Sequence, residues 1–447
     1  MSETKRARTF GVNNFKKIPQ IEQYLTPDQI EAIEVVGNVL PFKVNTYVVD
    51  ELIEWDNVPN DPIFVLTFPQ KEMLSPEHFS RVQHALKENL PKGELKEIVN
   101  EIRMDLNPHP AGQMEMNVPE VDGYKLTGIQ HKYRETMLFF PNQGQTCHSY
   151  CTFCFRWPQF VGIDELRFAM KESELMVKYL KEHPEITDVL FTGGDPMIMS
   201  TKQLESYVLP IIEQVPHVQT IRFGSKALSY WPYRFTHERD SEELLALFRK
   251  IQEAGKHVAF MAHFNHPQEL KTDALKEAVA TLRENGVQIR TQSPIMRNIN
   301  DSSDAWAKMW KEQVRLGMIP YYMFLARDTG AQDYFAVPLV RAWGIFKKAY
   351  EQVSGIARTV RGPSMSAEPG KVQILGETEI NGEKVLGLRF IQGRNPEWVH
   401  KPFFAEYDEK AIWLDDLKPA FNQDEFFFEA DYNAMKEEAM QELEIAE

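Results

Sequence analysis

Cysteine is nearly missing from this sequence. The chain of 447 residues has three, all within residues 147–154. That odd count, with no partner elsewhere, excludes a disulfide framework. Long apolar runs are also missing; none approaches the roughly 20 residues of a membrane span. The opening MSETKRARTFGVNNFKK has no apolar h-region and reads as an exposed arm. No internal repeat or low-complexity segment is visible. Basic residues are outnumbered, 50 Lys and Arg against 65 Asp and Glu, for a net charge of −15. Such a balance argues against nucleic acid as a general partner, while a small substrate or a locally basic site remains compatible. With 43% hydrophobic residues the chain can bury a sizeable core. Its length corresponds to about three domains.

The three cysteines stand in Cys147-His-Ser-Tyr-Cys151-Thr-Phe-Cys154, a C-x3-C-x2-C spacing. Thiolates are favoured ligands of iron–sulfur clusters, and three of them hold three of four irons. The fourth iron is then open to an exogenous ligand, which separates a reactive centre from a closed structural one. A structural zinc site would need a fourth ligand, and His148, next to Cys147, is poorly placed to share its tetrahedron. The stretch therefore reads as a site for a 4Fe-4S cluster. Committing every cysteine to one labile motif fits a reducing cytoplasm.

Residues 1–128 read as a helical extension, with helices starting at Thr26-Pro27 and Ser75-Pro76. A turn cluster falls at 57–62, and 106–112 is too rich in proline for regular helix. From 129 to 355 short apolar strands at 136–140, 188–192, 220–224, 258–263, 287–292 and 319–324 alternate with helical patterns at 172–181, 201–214, 241–255, 273–284, 303–316 and 337–352. This βα rhythm predicts an α/β fold, a partial (β/α)6 parallel barrel. Chemistry then belongs at the C-terminal strand ends, and the cysteine loop directly follows the first strand. Residues 356–447 read as an α+β extension, with a hairpin about Asn381-Gly382 and an acidic helical end. That end is a solvated face or a contact in a homo-oligomer.

The strands end in loops of suggestive composition: Phe191-Thr-Gly193-Gly194-Asp195-Pro-Met197, Ile221-Arg-Phe-Gly-Ser225-Lys226, His263-Phe-Asn-His-Pro267 and Arg290-Thr-Gln292-Ser293. Adjacent glycines let backbone approach a ligand closely. With Leu40-Pro-Phe-Lys-Val-Asn45, the cysteine loop with Arg156, and Arg297-Asn-Ile-Asn-Asp301, this set resembles the lysine 2,3-aminomutase family of radical S-adenosylmethionine (SAM) enzymes over roughly residues 40–375. The resemblance implies a radical SAM barrel in which SAM chelates the open iron. An electron, delivered by a donor of flavodoxin or ferredoxin type, then cleaves SAM to a 5′-deoxyadenosyl radical. It also implies that Arg156, Gly193, Gly194, Asp195, Ser225, His263 and Gln292 lie around SAM.

The aminomutases also use pyridoxal phosphate (PLP), which carries the migrating amino group as an imine on a lysine after a glycine run. The matching stretch here is 360–371, and the lysine position falls on Glu368, three residues before Lys371. A carboxylate cannot form a Schiff base. The family's phosphate-gripping segment matches His131-Lys-Tyr133-Arg-Glu-Thr136, which keeps Lys132 and Tyr133 but has Thr136 for the last arginine. The aspartates that meet the lysine ε-ammonium correspond to Arg327 and Arg361; a one-residue slip would put Asp328 at the first. Arginine pairs with carboxylate or phosphate. The reading that follows is a radical SAM enzyme that has lost PLP and acts on a small anionic substrate held by Arg327, Arg361 and Tyr133. Two others stay open: a PLP-dependent 2,3-aminomutase acting on lysine or glutamate, an isomerase using Lys371, and a non-enzymatic cluster-bearing redox sensor.

Overall fold

The computed structural model describes residues 4–108 and 116–446. Its centre is one sheet of eleven strands that lie side by side in chain order. They are β1 (Ile129–Tyr133), β2 (Thr136–Phe139), β3 (Asp188–Phe191), β4 (Thr220–Ser225), β5 (His257–His263), β6 (Gln288–Ile295), β7 (Ile319–Leu325), β8 (Arg361–Ser366), β9 (Gly370–Ile380), β10 (Glu383–Gly393) and β11 (Pro402–Glu406). Strands β2 to β8 pair in parallel. β1 adds antiparallel at one edge and β9 to β11 at the other. Six helices link the parallel strands: α1 (Ser173–Glu182), α2 (Thr201–Gln214), α3 (Ser241–Glu253), α4 (Asp273–Glu284), α5 (Ser303–Arg315) and α6 (Leu339–Glu351). This is the predicted set of six βα units. Among the described residues β1 and β11 do not pair, so the wall stays open.

Strand periodicity sorts the side chains into two faces. Met137, Phe139, Val189, Phe191, Ile221, Phe223, Val258, Phe260 and Ile289 are buried against the helices. Phe139 meets Phe191 edge to face and Phe191 stacks on Phe223, with centroids 5.6 and 5.5 Å apart. The alternate residues, Leu138, Asp188, Leu190, Arg222, Ala259, Met261, Arg290 and Gln292, face a cavity inside the sheet. The helices start where the sequence marks them. Ser200 and Gln203 close a capping box on α2, and Thr272 and Ser302 cap α4 and α5.

Three strands of the sheet, β1, β8 and β11, were not legible; β11 is only five residues long and opens on proline. β1 is half polar, and β8 reads Arg-Gly-Pro-Ser-Met-Ser, a composition that carries no strand signal. The exposed arm also needs correction. Residues 4–9 are exposed, but Phe10 and Phe15 are buried, and Thr9–Gly11 pairs with Lys43–Asn45. Two phenylalanines in a polar stretch were enough to dock it. The expected non-helical run 106–112 lies partly outside the described residues. The hairpin is present, with Asn381 and Gly382 both at positive φ between β9 and β10. A final helix, α7 (Glu429–Ala446), forms the acidic end.

The helices outside the barrel and β9 to β11 share one hydrophobic core. The N-terminal segment has a second one, which includes Trp157, Tyr230, Trp231, Met296 and Phe335 from the loops after the strands. It therefore caps the C-terminal end of the barrel. Among the described residues no helix is long and apolar enough to cross a membrane.

Candidate active site

The cavity inside the sheet has a volume of about 620 Å³. Its upper end is formed by loops that follow the strands, beginning with the cysteine loop after β2. Cys147, Cys151 and Cys154 all line it, each half-buried and free of disulfides. The loop is gripped from outside by the N-terminal segment. Lys43 Nζ donates to Thr146 Oγ1 at 2.6 Å, and the Tyr150 amide to the Lys43 carbonyl at 2.7 Å. The Asn45 amide donates to Ser149 Oγ, and its side chain to the carbonyls of His148 and Tyr230. Thr152 is bound through its amide to Leu66 and through its hydroxyl to Val65.

Burial pushes the Cys151 thiol up to about 12 and that of Cys154 to about 11, and raises Cys147 as well. The bare loop is therefore neutral at pH 7, and thiolates there require compensating positive charge. Part of it is built in: Lys43 acts on Cys147, Lys226 on Cys151 and Arg156 on Cys154, each pulling the thiol down. Bound iron would supply the rest, since coordination deprotonates thiols outright. Among the described residues no three His, Cys, Asp or Glu side chains converge on a single-ion site. Three separated thiols, each with its own cation, fit an anionic cluster as cofactor.

The remaining predicted residues line the same cavity. Gly193, at φ 139°, and Gly194 turn against the segment before Cys147. The Gly194 amide donates to the Gly144 carbonyl at 3.1 Å, and the Asp195 amide to that of Thr146 at 2.8 Å. A Cβ on Gly194 would fall 2.5 Å from the Thr146 nitrogen, so only glycine fits. Asp195 is buried and ties two loops together, accepting from the Met197 and Lys226 amides. Burial lifts its carboxyl to about 6. Ser225 accepts from the Ala227 amide. Gln292 donates to His263 Nε2 at 2.7 Å, and burial lowers His263 to about 3, so its ring is neutral. Arg156 is 6% exposed and lies 4.0 Å from the Phe140 ring, and its Nε and Nη2 have no hydrogen-bond partner. An unpartnered buried guanidinium facing a cavity is a receptor for an anion. His266 accepts from the Gln268 amide and is a capping residue outside the cavity lining.

The residues assigned to substrate do not form one cluster. Arg327 lies at the upper end over Phe155, and its Nε is 3.4 Å from Asp328 Oδ1. Arg361 opens β8, over the rings of Tyr321 and Tyr322. Between them Tyr133 is half-buried beside Lys371. Glu368 turns toward α7, where Tyr432 Oη donates to it at 2.6 Å. Lys371 faces the cavity instead, bonded to Gln392 Oε1 at 2.9 Å, and burial lowers its amine to about 7.

Several site residues form pairings that the sequence does not announce. Lys226 Nζ pairs with fully buried Glu269 at 2.5 Å beside Cys151. Lys132 donates to the Ala367 carbonyl, and Arg222 is held by Asp188. These pairings join strands 30 or more residues apart in sequence, so no local pattern announces them.

A half-open parallel barrel with this cysteine loop defines the class of radical SAM enzymes. No family model matches the chain. The sequence is 33% identical over 385 residues, 86% of this chain and 89% of the relative, to a putative L-lysine 2,3-aminomutase of Aquifex aeolicus. It is 25% identical over 346 residues, 77% and 72% of the two chains, to the L-lysine 2,3-aminomutase of Acetoanaerobium sticklandii. The chain belongs to the lysine 2,3-aminomutase family. Among solved structures, SAM-bound SuiB of Streptococcus suis matches with a TM-score of 0.34 and 11% identity, over 62% of this chain and 57% of that one.

Proposed function

We propose that this is a radical SAM enzyme that holds a 4Fe-4S cluster on Cys147, Cys151 and Cys154 and acts on a small anionic substrate. When bound, cluster and SAM together supply a 5′-deoxyadenosyl radical, with the electron coming from a flavodoxin- or ferredoxin-type donor. The observation that carries the reading is that the three thiols open into the same cavity as a strongly cationic wall. Eight Lys and Arg side chains line it against two carboxylates, Asp188 and Asp195. In this reading Arg156 receives a carboxylate of SAM, Gly193 and Gly194 let backbone approach it, and Asp195 and Ser225 hold the loops beneath. His263, kept neutral, and Gln292 present an uncharged hydrogen-bonding pair. Arg327 and Tyr133 bound the substrate from above. The labile thiols suit a reducing cytoplasm.

The test is 5′-deoxyadenosine formation by anaerobically reconstituted, chemically reduced protein. No product from a protein with full iron content would favour the redox-sensor reading. Arg327→Asp should weaken an anionic substrate by about tenfold or more while uncoupled SAM cleavage persists. Unchanged affinity would remove Arg327 from the substrate site.

One observation favours the second reading, a PLP-dependent aminomutase. Lys371 presents a half-buried amine, lowered by desolvation to about 7, to the cavity, the state a Schiff-base lysine needs. Protein incubated with PLP at pH 7.5, reduced with borohydride and digested should then carry the label on the Lys371 peptide. An unlabelled Lys371 with SAM cleavage intact would leave the PLP-free reading.

A further inference from the structure

The lower end of the cavity is formed by the first residues of the strands, away from the cysteine loop. Here Arg222, Arg290 and Arg361, from the starts of β4, β6 and β8, stand with Tyr321 and Tyr322, and Lys371, whose backbone pairs with Ser366 at the far end of β8, reaches its side chain toward Tyr322. Arg290 lies 5.0 Å and Arg361 4.4 Å from the Tyr321 ring. Lys371 lies 4.5 Å from the Tyr322 ring. One carboxylate lines this end, that of Asp188, and it is already taken by Arg222, whose Nε donates to it at 2.7 Å. Arg290 has only the neutral amide of Gln288, at 2.8 Å. Lys371 has only the amide of Gln392. Arg361 has no ion pair among the described residues and rests on aromatic faces.

Two guanidinium groups and a lysine amine share an aromatic-walled pocket whose one carboxylate, Asp188, is committed to Arg222, in a chain with 65 acidic residues to draw on. Their proximity is unfavourable unless a negative charge joins them. Burial, then Arg222 and Arg361, already push the Lys371 amine down to about 7. Two guanidinium groups and an ammonium match the oxygens of a carboxylate or phosphate, and the tyrosine rings hold the guanidinium planes.

We propose that Arg290, Arg361 and Lys371 form an oxyanion socket at the lower end of the cavity, which takes the carboxylate or phosphate terminus of the substrate. The inference rests on the reading that substrate occupies this cavity, and it narrows the substrate class. The molecule carries its anchoring charge at the end away from the carbon presented to the cysteine loop. Arg222, neutralised by Asp188, is a wall of the socket and keeps its partner.

The test is calorimetric titration of the reconstituted protein with glutarate and, separately, with inorganic phosphate. At least one should bind. Arg361→Gln and Arg290→Gln should each weaken it by about tenfold or more. Arg315→Gln, an exposed residue paired with Glu312, should change it less than twofold. Binding of glutarate alone assigns a carboxylate terminus, and binding of phosphate alone a phosphate terminus. No binding of either, or equal weakening by Arg315→Gln, overturns the socket. Arg361→Lys, which keeps the charge and loses the fork, serves if the glutamine variant does not fold. SAM cleavage measured on the same samples separates the two readings. Its absence from wild type sinks the proposed enzyme function whatever the anion does, and its presence without anion binding sinks the socket alone.

Discussion

Cys151→Ala should give a folded protein with no four-iron cluster and no 5′-deoxyadenosine formation. The substitution removes one sulfur from a half-buried loop, and the only hydrogen bond lost is a long one of 3.9 Å to Tyr230 Oη. The loop's other anchors, through Asn45, Lys43, Leu66 and Val65, do not involve this side chain. Stability should therefore fall by about 1 kcal/mol or less. The proposed cluster site would lose a third of its protein ligands. Two thiols cannot fix a cube that needs three, while Lys226 keeps its partners Glu269 and Asn265, so the fold around the loop holds. Iron analysis and electron paramagnetic resonance of the reduced protein decide the matter. A four-iron signal of wild-type intensity in the variant would sink the cysteine assignment, and the proposed function with it.

The second large effect comes from a residue with no side chain. Gly194→Ala should lower the melting temperature by several degrees and cut iron loading by more than half. The new methyl would meet the nitrogen of Thr146 at 2.5 Å and its carbonyl oxygen closer still. Those are backbone atoms, stitched to the same turn by the Asp195 amide, so no rotamer change gives relief. Overpacking at such a site costs about 1–3 kcal/mol. The only way out is to push residues 144–146 away, and Cys147 is next in the chain. Gly344→Ala is the control. Gly344 lies inside α6 with nothing within 4 Å of a built Cβ, and alanine there should stabilise by up to about 1 kcal/mol. Equal iron content in Gly194→Ala and wild type would show that the turn does not hold the cysteine loop in place.

Much of this was legible because it is local. The alternation of short apolar strands with capped helices fixed six βα units to within a few residues, and the cysteine spacing located the upper end of the cavity. The glycine pair and the residues at the ends of the strands all line one cavity, because that topology gathers them at one end of the sheet. What failed to show was decided by long-range registers. Arg290 and Arg361 share Tyr321 because β6, β7 and β8 are neighbours, and β8 has no strand-like composition. Matching the family's lysine run residue by residue landed on Glu368, whereas the first residues of β9 turn Lys371 inward. Phe10 and Phe15 were read with their polar surroundings, and burial by a distant core overrode that.

The grip of residues 43–66 on the cysteine loop has a consequence for how the protein matures. The segment that clamps the loop is translated well before it, and the loop reaches its final shape only after the two have met. Iron delivered earlier would find three thiols on an unrestrained chain. Insertion of the proposed cluster into the finished loop would therefore follow docking of the amino-terminal segment.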